Sequence, residues 1–291
     1  MSIGAGLTRK ALEFSELIRK ETSLETLEAR RTGFNKLGRW FTAEKGTVVT
    51  RTTIGGVAVD SIVNCVEPGR TIVYAHGGGF VYGGNSGHMS MLSMLSRLAE
   101  ARILAVDYRI APEDGFPAAL DDIEAVLDTL DCVYSLAGDS AGGNLVLSTA
   151  VHRRDQSLSV PKCIVAISPC LDATFSGESI TKNARTDPML TIEKLRFFLK
   201  AYAGTSDVNN PRISPLFSDL SDLPPTLFHV SSNEILYSDS QRAHDKIKSS
   251  GGTSAIYTPA DMWHAWHLFS RFVPESRVAI RGVAQFISDN S

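Results

Sequence analysis

The sequence predicts an α/β fold, a mostly parallel eight-stranded sheet with helices on both faces. Two observations carry that expectation. From residue 47 the apolar period is two over a pair of short runs, and beyond them short apolar runs alternate with helix-period segments. This alternation is the pattern of βα units, whose crossovers lay parallel strands side by side. A third observation is local: Gly138-Asp139-Ser140-Ala141-Gly142-Gly143 joins an apolar run to a helix-compatible one. A serine therefore stands at the tip of a strand–turn–helix, with glycine two residues away on each side.

Residues 7–41 read as helical. Leu7, Ala11, Phe14, Leu17 and Ile18 fall on one helical face, Leu24 and Leu27 start a second stripe, and Thr22-Ser23-Leu24-Glu25 has the form of a capping box. Phe34, Leu37, Trp40 and Phe41 make the end of this region apolar. That suits either ordinary packing or a helical cap leaning over a pocket. Residues 1–45 are accordingly expected to be an N-terminal helical cap segment, and 46–291 the catalytic domain. Residues 47–53 and 57–63 flank Gly55-Gly56 as a hairpin. Strands are then expected over 71–75, 103–107, 133–137, 163–168, 226–231 and 254–257. Helices are expected over 89–100, 117–129, 141–152, 192–202, 238–249 and 275–288. Between Leu171 and Leu223 about fifty residues carry no strand signal, too many for a plain loop, so 172–222 reads as an excursion with at least one helix over the active-site end of the sheet.

Composition narrows the class. Hydrophobic residues at 43% and charged residues at 21% are ordinary for a globular protein, and a net charge of −3 gives no electrostatic case for nucleic acid or an anionic membrane. No apolar run approaches the roughly twenty residues of a membrane span, and the N-terminal stretch lacks the apolar core of a secretory signal, so a cytoplasmic protein is expected. Cys65, Cys132, Cys163 and Cys170 have no CxxC spacing and read as buried thiols, without metal or disulfide.

The serine needs a base, and the base needs an orienting acid, from loops at the carboxyl ends of later strands. After the strand at 226–231 come Glu234 and then Asp239. Glu234 sits just past the strand end and is preferred, whereas Asp239 has a ready role near the start of the following helix. After the strand at 254–257, His264 and His267 compete, and His264 is nearer the strand end. A metal site on that histidine pair would lack the glutamate of HExxH. His88, His152 and His244 read as helical surface positions, and His229 as part of a strand. The loop His76-Gly77-Gly78-Gly79-Phe80 follows a strand directly, so bare N–H groups can approach a carbonyl oxygen, and Ala141 after the serine offers another. A phosphate-cradling reading of these glycines lacks the Lys-Ser/Thr of a Walker A loop and the GxGxxG pattern.

Taken together, His76-Gly77-Gly78-Gly79, Asp107-Tyr108-Arg109-Ile110-Ala111-Pro112-Glu113 and Gly138-Asp139-Ser140-Ala141-Gly142 resemble the bacterial hormone-sensitive-lipase family of α/β-hydrolases. Asp187-Pro188-Met189-Leu190, Pro211-Arg212-Ile213-Ser214-Pro215-Leu216 and His264-Ala265-Trp266 fit the same family. The resemblance covers nearly the whole chain from about residue 45. It implies an α/β-hydrolase fold and carboxylic-ester hydrolysis without a cofactor. Ser140 would be the nucleophile, His264 the base and then acid, and the N–H groups of Gly78, Gly79 and Ala141 the oxyanion hole. One departure is visible: the family's Asp-x-Leu-x-Asp-Asp is Glu234-Ile235-Leu236-Tyr237-Ser238-Asp239 here, so a glutamate takes the acid position. His76, Tyr108, Glu113 and Asp139 read as supports of the catalytic loops.

A substrate pocket is expected to be apolar, lined by Phe14, Phe34, Trp40 and Phe41 from the cap and Phe198 and Tyr202 from the excursion. The expected substrates are short- to medium-chain esters, with a lactone hydrolase as the nearest alternative and a catalytically dead ligand-binding relative as the rival from another class. The expected partner is a small ester, with no nucleic acid and no membrane, and the resemblance allows a homodimer.

Overall fold

The computed structural model describes residues 1–14 and 23–291, the side chain of Phe14 excepted. The reading of Phe14, Leu17 and Ile18 as apolar side chains of one face lies outside those described residues.

Eight strands form one sheet: β1 (Val48–Ile54), β2 (Val57–Val63), β3 (Arg70–Ala75), β4 (Ala101–Val106), β5 (Ser135–Asp139), β6 (Ile164–Ile167), β7 (Thr226–His229) and β8 (Ser254–Tyr257). Their order is β1-β2-β4-β3-β5-β6-β7-β8, with β1 and β2 antiparallel and all pairs from β4–β3 onward parallel. Helices α1 (Ile3–Phe14) and α2 (Leu24–Gly38) precede the sheet. Helices α3 (Met89–Ala99), α4 (Ala118–Thr129) and α5 (Ala141–Asp155) alternate with its first half. Helices α6 (Ser179–Lys182) and α7 (Ile192–Ala203) lie in the excursion between β6 and β7, and α8 (Tyr237–Ser249) and α9 (Pro274–Asp289) complete the chain.

Alternation within the central strands builds two cores. Val73, Leu136 and Ile164 join one cluster with residues of α4, α5 and α7, whereas Ile72, Tyr74, Ala137 and Val165 join another with α3 and α9. Strands buried on both faces need helices on both faces, which the crossovers supply. β1 is an edge strand, exposed over its whole length save Ile54.

The differences from the sequence reading are local. β5 begins two residues later than expected and runs through Asp139, because Val133 is 63% exposed while Gly138 still pairs with Ala75. β6 and β7 stop before Ser168 and Ser231, whose side chains turn to the site described below. In α1 the buried residues are Ala5 and Leu12, with Leu7 and Ala11 exposed, and in α2 Leu24 is exposed while Leu27 is buried. The capping box of α2 is formed by Ser23 with Thr26, one residue on from the expected pair. Cys163 and Cys170 are buried thiols, but Cys65 and Cys132 are half-buried. Among the described residues no helix is long and apolar enough to cross a membrane.

Candidate active site

The carboxyl end of β5 delivers Ser140 directly into α5. Its backbone is at φ 54°, ψ −116°, a conformation that costs a side-chain-bearing residue of order 1–3 kcal/mol. The turn is held by the Ser140 N–H donating to the Ile167 carbonyl on β6 at 2.8 Å. The following turn of α5 passes so close to β3 that a Cβ on Gly142 would lie 2.0 Å from the Ala75 carbonyl oxygen. Glycine is therefore required there by close approach of backbone to backbone.

His264 comes from the loop after β8, and Glu234 from the loop after β7. His264 Nδ1 donates to Glu234 Oε2 at 2.9 Å. The other carboxylate oxygen, Oε1, accepts from the Ser231 N–H at 2.6 Å and from the Ser168 hydroxyl at 3.0 Å. Ser168 Oγ in turn accepts from the Ala265 N–H at 3.2 Å, so one hydroxyl ties the acid to the chain beside the imidazole. Glu234 is completely buried, and burial pushes its carboxyl above the ordinary range despite the bonds from His264 and Ser231. Burial pulls the His264 imidazole down, but the bond and charge of Glu234 outweigh it and the net shift is upward.

Asp239 goes elsewhere. Its Oδ2 accepts from the N–H groups of Leu171 and Asp172 at 2.8 and 3.1 Å, and its Oδ1 from Arg242 at 3.1 Å. Burial raises it to about 7 against these bonds. Its place is under the root of the excursion. His267 is also buried away from the serine, with Nε2 3.0 Å from His229 Nδ1.

The glycine loop after β3 faces Ser140 across a cavity of about 390 Å³. Gly77 donates to Asp139 Oδ1 at 2.8 Å, which leaves the next two amides to the cavity. Among the described residues, the N–H groups of Gly78, Gly79 and Ala141 reach no protein acceptor, and all three residues line the cavity with Ser140 and His264. Gly79 adopts φ 62°, and a Cβ there would lie 2.5 Å from the ring of Phe198 on α7. Asp139 also accepts from Tyr74 Oη at 2.6 Å and His88 Nε2 at 3.0 Å. Burial alone would raise this carboxyl, but His88 and the hydrogen bonds hold it down to about 2. His76 stacks on Tyr108 at 4.3 Å, and Tyr108 Oη donates to the His76 carbonyl at 2.6 Å. Glu113 forks onto Arg31 of α2 at 2.7 Å through both oxygens, and Arg31 also donates to the carbonyls of Val81 and Ala111.

Phe34, Phe41 and Phe198 line the cavity as expected of pocket residues. Trp40 does not: it is 66% exposed, because it follows the end of α2 and points past the cavity rim. Tyr202 does not either, being buried face to face on Phe80 at 3.9 Å behind the cavity wall. His88 corrects the reading of a helical surface position, since it is buried with its ring on Asp139. Sequence reasoning missed Ser168, Ser231 and Arg31. The first two are plain strand-end serines, and Arg31 stands among other charges on α2, so none carried a signal.

A family with the α/β hydrolase fold matches residues 72–268. The chain is 32% identical to an esterase of Acinetobacter venetianus over 89% of its length and 88% of that protein. It is 34% identical to an acetyl-hydrolase of Streptomyces hygroscopicus, covering 81% of each. Among solved structures, the esterase EstE5 superposes with a TM-score of 0.94 at 34% identity, over 100% of this chain and 99% of that one. An esterase of the bacterial hormone-sensitive lipase family superposes with a TM-score of 0.94 at 29% identity, with the same coverage. The chain therefore belongs to the bacterial hormone-sensitive-lipase family of α/β-hydrolases and is a carboxylic-ester hydrolase.

Proposed function

We propose that this enzyme hydrolyses short- to medium-chain acyl esters through an acyl-enzyme on Ser140. His264 Nε2 takes the Ser140 proton as Oγ bonds to the ester carbonyl carbon. The carbonyl oxygen becomes an oxyanion that accepts from the N–H groups of Gly78, Gly79 and Ala141. Collapse of the adduct breaks the bond to the alcohol oxygen, which leaves with the proton from His264. Water then loses a proton to His264 and bonds to the acyl carbon. Ser140 departs with that proton, and the carboxylic acid is released. Glu234 keeps the proton of the resting imidazole on Nδ1 and stabilises the imidazolium.

The observation that carries this reading is the 2.9 Å contact of His264 Nδ1 with Glu234 Oε2, at a cavity shared with Ser140 and three N–H groups lacking an acceptor among the described residues. The preference for short and medium chains is supported by the cavity's volume of about 390 Å³, near the low end of the 300–1,000 Å³ of small-molecule sites. Residues 1–45 serve as a cap in this reading, because Leu12, Phe34 and Phe41 close the cavity beside α7 of the excursion. The test is turnover of p-nitrophenyl esters from acetate to palmitate by the wild type, Ser140→Ala and His264→Ala. Activity should peak at short or medium chains and fall by roughly three to six orders of magnitude in either variant. Wild-type-like turnover in Ser140→Ala would defeat the scheme.

A further inference from the structure

The wall of the cavity contains a cation that ester hydrolysis does not use. Lys194, in the first turn of α7, lines the cavity and is only 8% exposed. Its neighbours on the same wall, Leu190, Leu195, Phe198 and Leu199, are apolar. Its Nζ donates to the Met189 carbonyl at 3.2 Å, and among the described residues no carboxylate lies within ion-pair distance. An ammonium has three donors, so one neutral carbonyl leaves two unspent. Burial of a cation is costly unless an anion repays it.

Among the described residues, no charge around Lys194 repays it in full. Arg30, which also lines the cavity, is a like charge. Asp187 is the opposing charge and raises Lys194, but it stands beyond ion-pair distance, with Oδ1 accepting from the N–H groups of Met189 and Leu190 and Oδ2 from the N–H of Ile235. Burial first, and Arg30 second, bring Lys194 down to about 8, so it remains mostly charged at neutral pH.

We propose that Lys194 receives a carboxylate carried by the substrate away from the scissile ester. The substrate class is then an ester bearing a second, ionised carboxyl group, either on its acyl chain, as in a half-ester of a dicarboxylic acid, or on its alcohol. The carboxylate bonds to the unspent donors of Nζ while the apolar wall packs on the chain between the two groups. This rests on the esterase reading above and adds a specificity element to the same cavity.

The experiment compares two matched pairs on wild type and Lys194→Met, with melting temperatures measured in parallel. One pair is 4-nitrophenyl hydrogen glutarate against 4-nitrophenyl pentanoate, and the other is 3-carboxyphenyl butyrate against phenyl butyrate. The wild type should have the higher kcat/KM for the anionic member of one pair, and the responding pair identifies the side that carries the carboxylate. Lys194→Met should lower that value about ten- to a hundredfold, the range of a charged hydrogen bond, with the neutral partner changed less than about threefold. An equal loss on both members would make Lys194 an anchor of the Met189 loop and overturn the proposal. So would a wild type with no anionic preference in either pair, a readout that stands even if the variant does not fold. Failure of the underlying scheme looks different, because Ser140→Ala would then retain turnover of the neutral esters.

Discussion

The floor and the wall of the cavity are built on opposite principles. The floor is backbone pinned by buried polar groups. Asp139 fixes Gly77, Tyr74 and His88 together, and Glu234 fixes Ser168, Ser231 and His264. The wall is side chain resting on side chain. Phe34 stacks on Tyr82 at 4.5 Å, and Phe41 meets Phe269 edge-on at 5.4 Å, while Leu7, Leu24 and Trp40 of the same N-terminal region stand exposed. Each floor group is held by several directional partners that few residue types could satisfy, whereas apolar contacts are met by many combinations of similar volume. In the proposed scheme the floor runs the reaction and the wall receives the substrate, so substitutions in the two should fail in different ways.

The sharpest break of that contrast is at the acid. Glu234→Gln should lower kcat by about three to four orders of magnitude by disturbing the imidazole tautomer, with Asp239→Asn within about tenfold of wild type. Because Glu234 raises the His264 pKa, and the neutral imidazole is the base, the residual activity of Glu234→Gln should keep its acid limb at lower pH than wild type. The opposite ranking of the two variants would move the acid to Asp239.

Next in size is the fold of the floor itself. Gly142→Ala places a methyl 2.0 Å from the Ala75 carbonyl and should destabilise by more than about 4 kcal/mol, read as loss of folded protein or a lowered denaturant midpoint. Retained stability would show that the elbow can move away from β3.

A third test uses pH. Burial lowers His229 to about 3 from its ordinary 6.5. Between those values the unfolded chain binds a proton that the folded chain does not, so His229 costs stability as pH falls, at most about 1.4 kcal/mol per pH unit. The melting temperature of wild type minus that of His229→Asn should therefore shrink as pH is lowered from 6.5 toward 4. A constant difference would mean that His229 charges freely in the folded protein.

The smallest effects belong to residues behind and beyond the wall. Arg31→Met removes the fork to Glu113 and two carbonyl bonds and should cost about 1–2 kcal/mol, with KM raised more than kcat is lowered. Trp40→Ala should change stability by under about 0.5 kcal/mol and leave KM unaltered, since the ring is exposed and off the cavity. A large KM effect at Trp40 would extend the wall beyond its present boundary.

The same contrast explains what was legible in the sequence. The mostly parallel sheet rests on alternating runs and glycines at places where backbone meets backbone, and such constraints leave residue types that can be read directly. Ser140, His264 and the glycine loop stand out in the sequence for that reason, and they line one cavity. The start of β5 is hidden in the sequence because Val133 is apolar yet solvent-facing, and apolarity alone does not tell where a strand begins pairing. Composition puts Trp40 and Tyr202 in the pocket, although one faces solvent and the other is spent on Phe80. His88 reads as a surface residue because its partner, Asp139, is 51 residues away in sequence. Long-range polar pairs of this kind leave no periodicity, and the wall's helices expose enough apolar surface to blur which side faces inward.

The most direct test of the central claim is the site of covalent modification. The enzyme is treated with a fluorophosphonate and the labelled peptide mapped by mass spectrometry, alongside Ser140→Ala and His264→Ala. A single adduct on Ser140, absent from Ser140→Ala and formed far more slowly in His264→Ala, is the expected result. An adduct on another residue, or undiminished labelling of Ser140→Ala, would contradict the acyl-enzyme account.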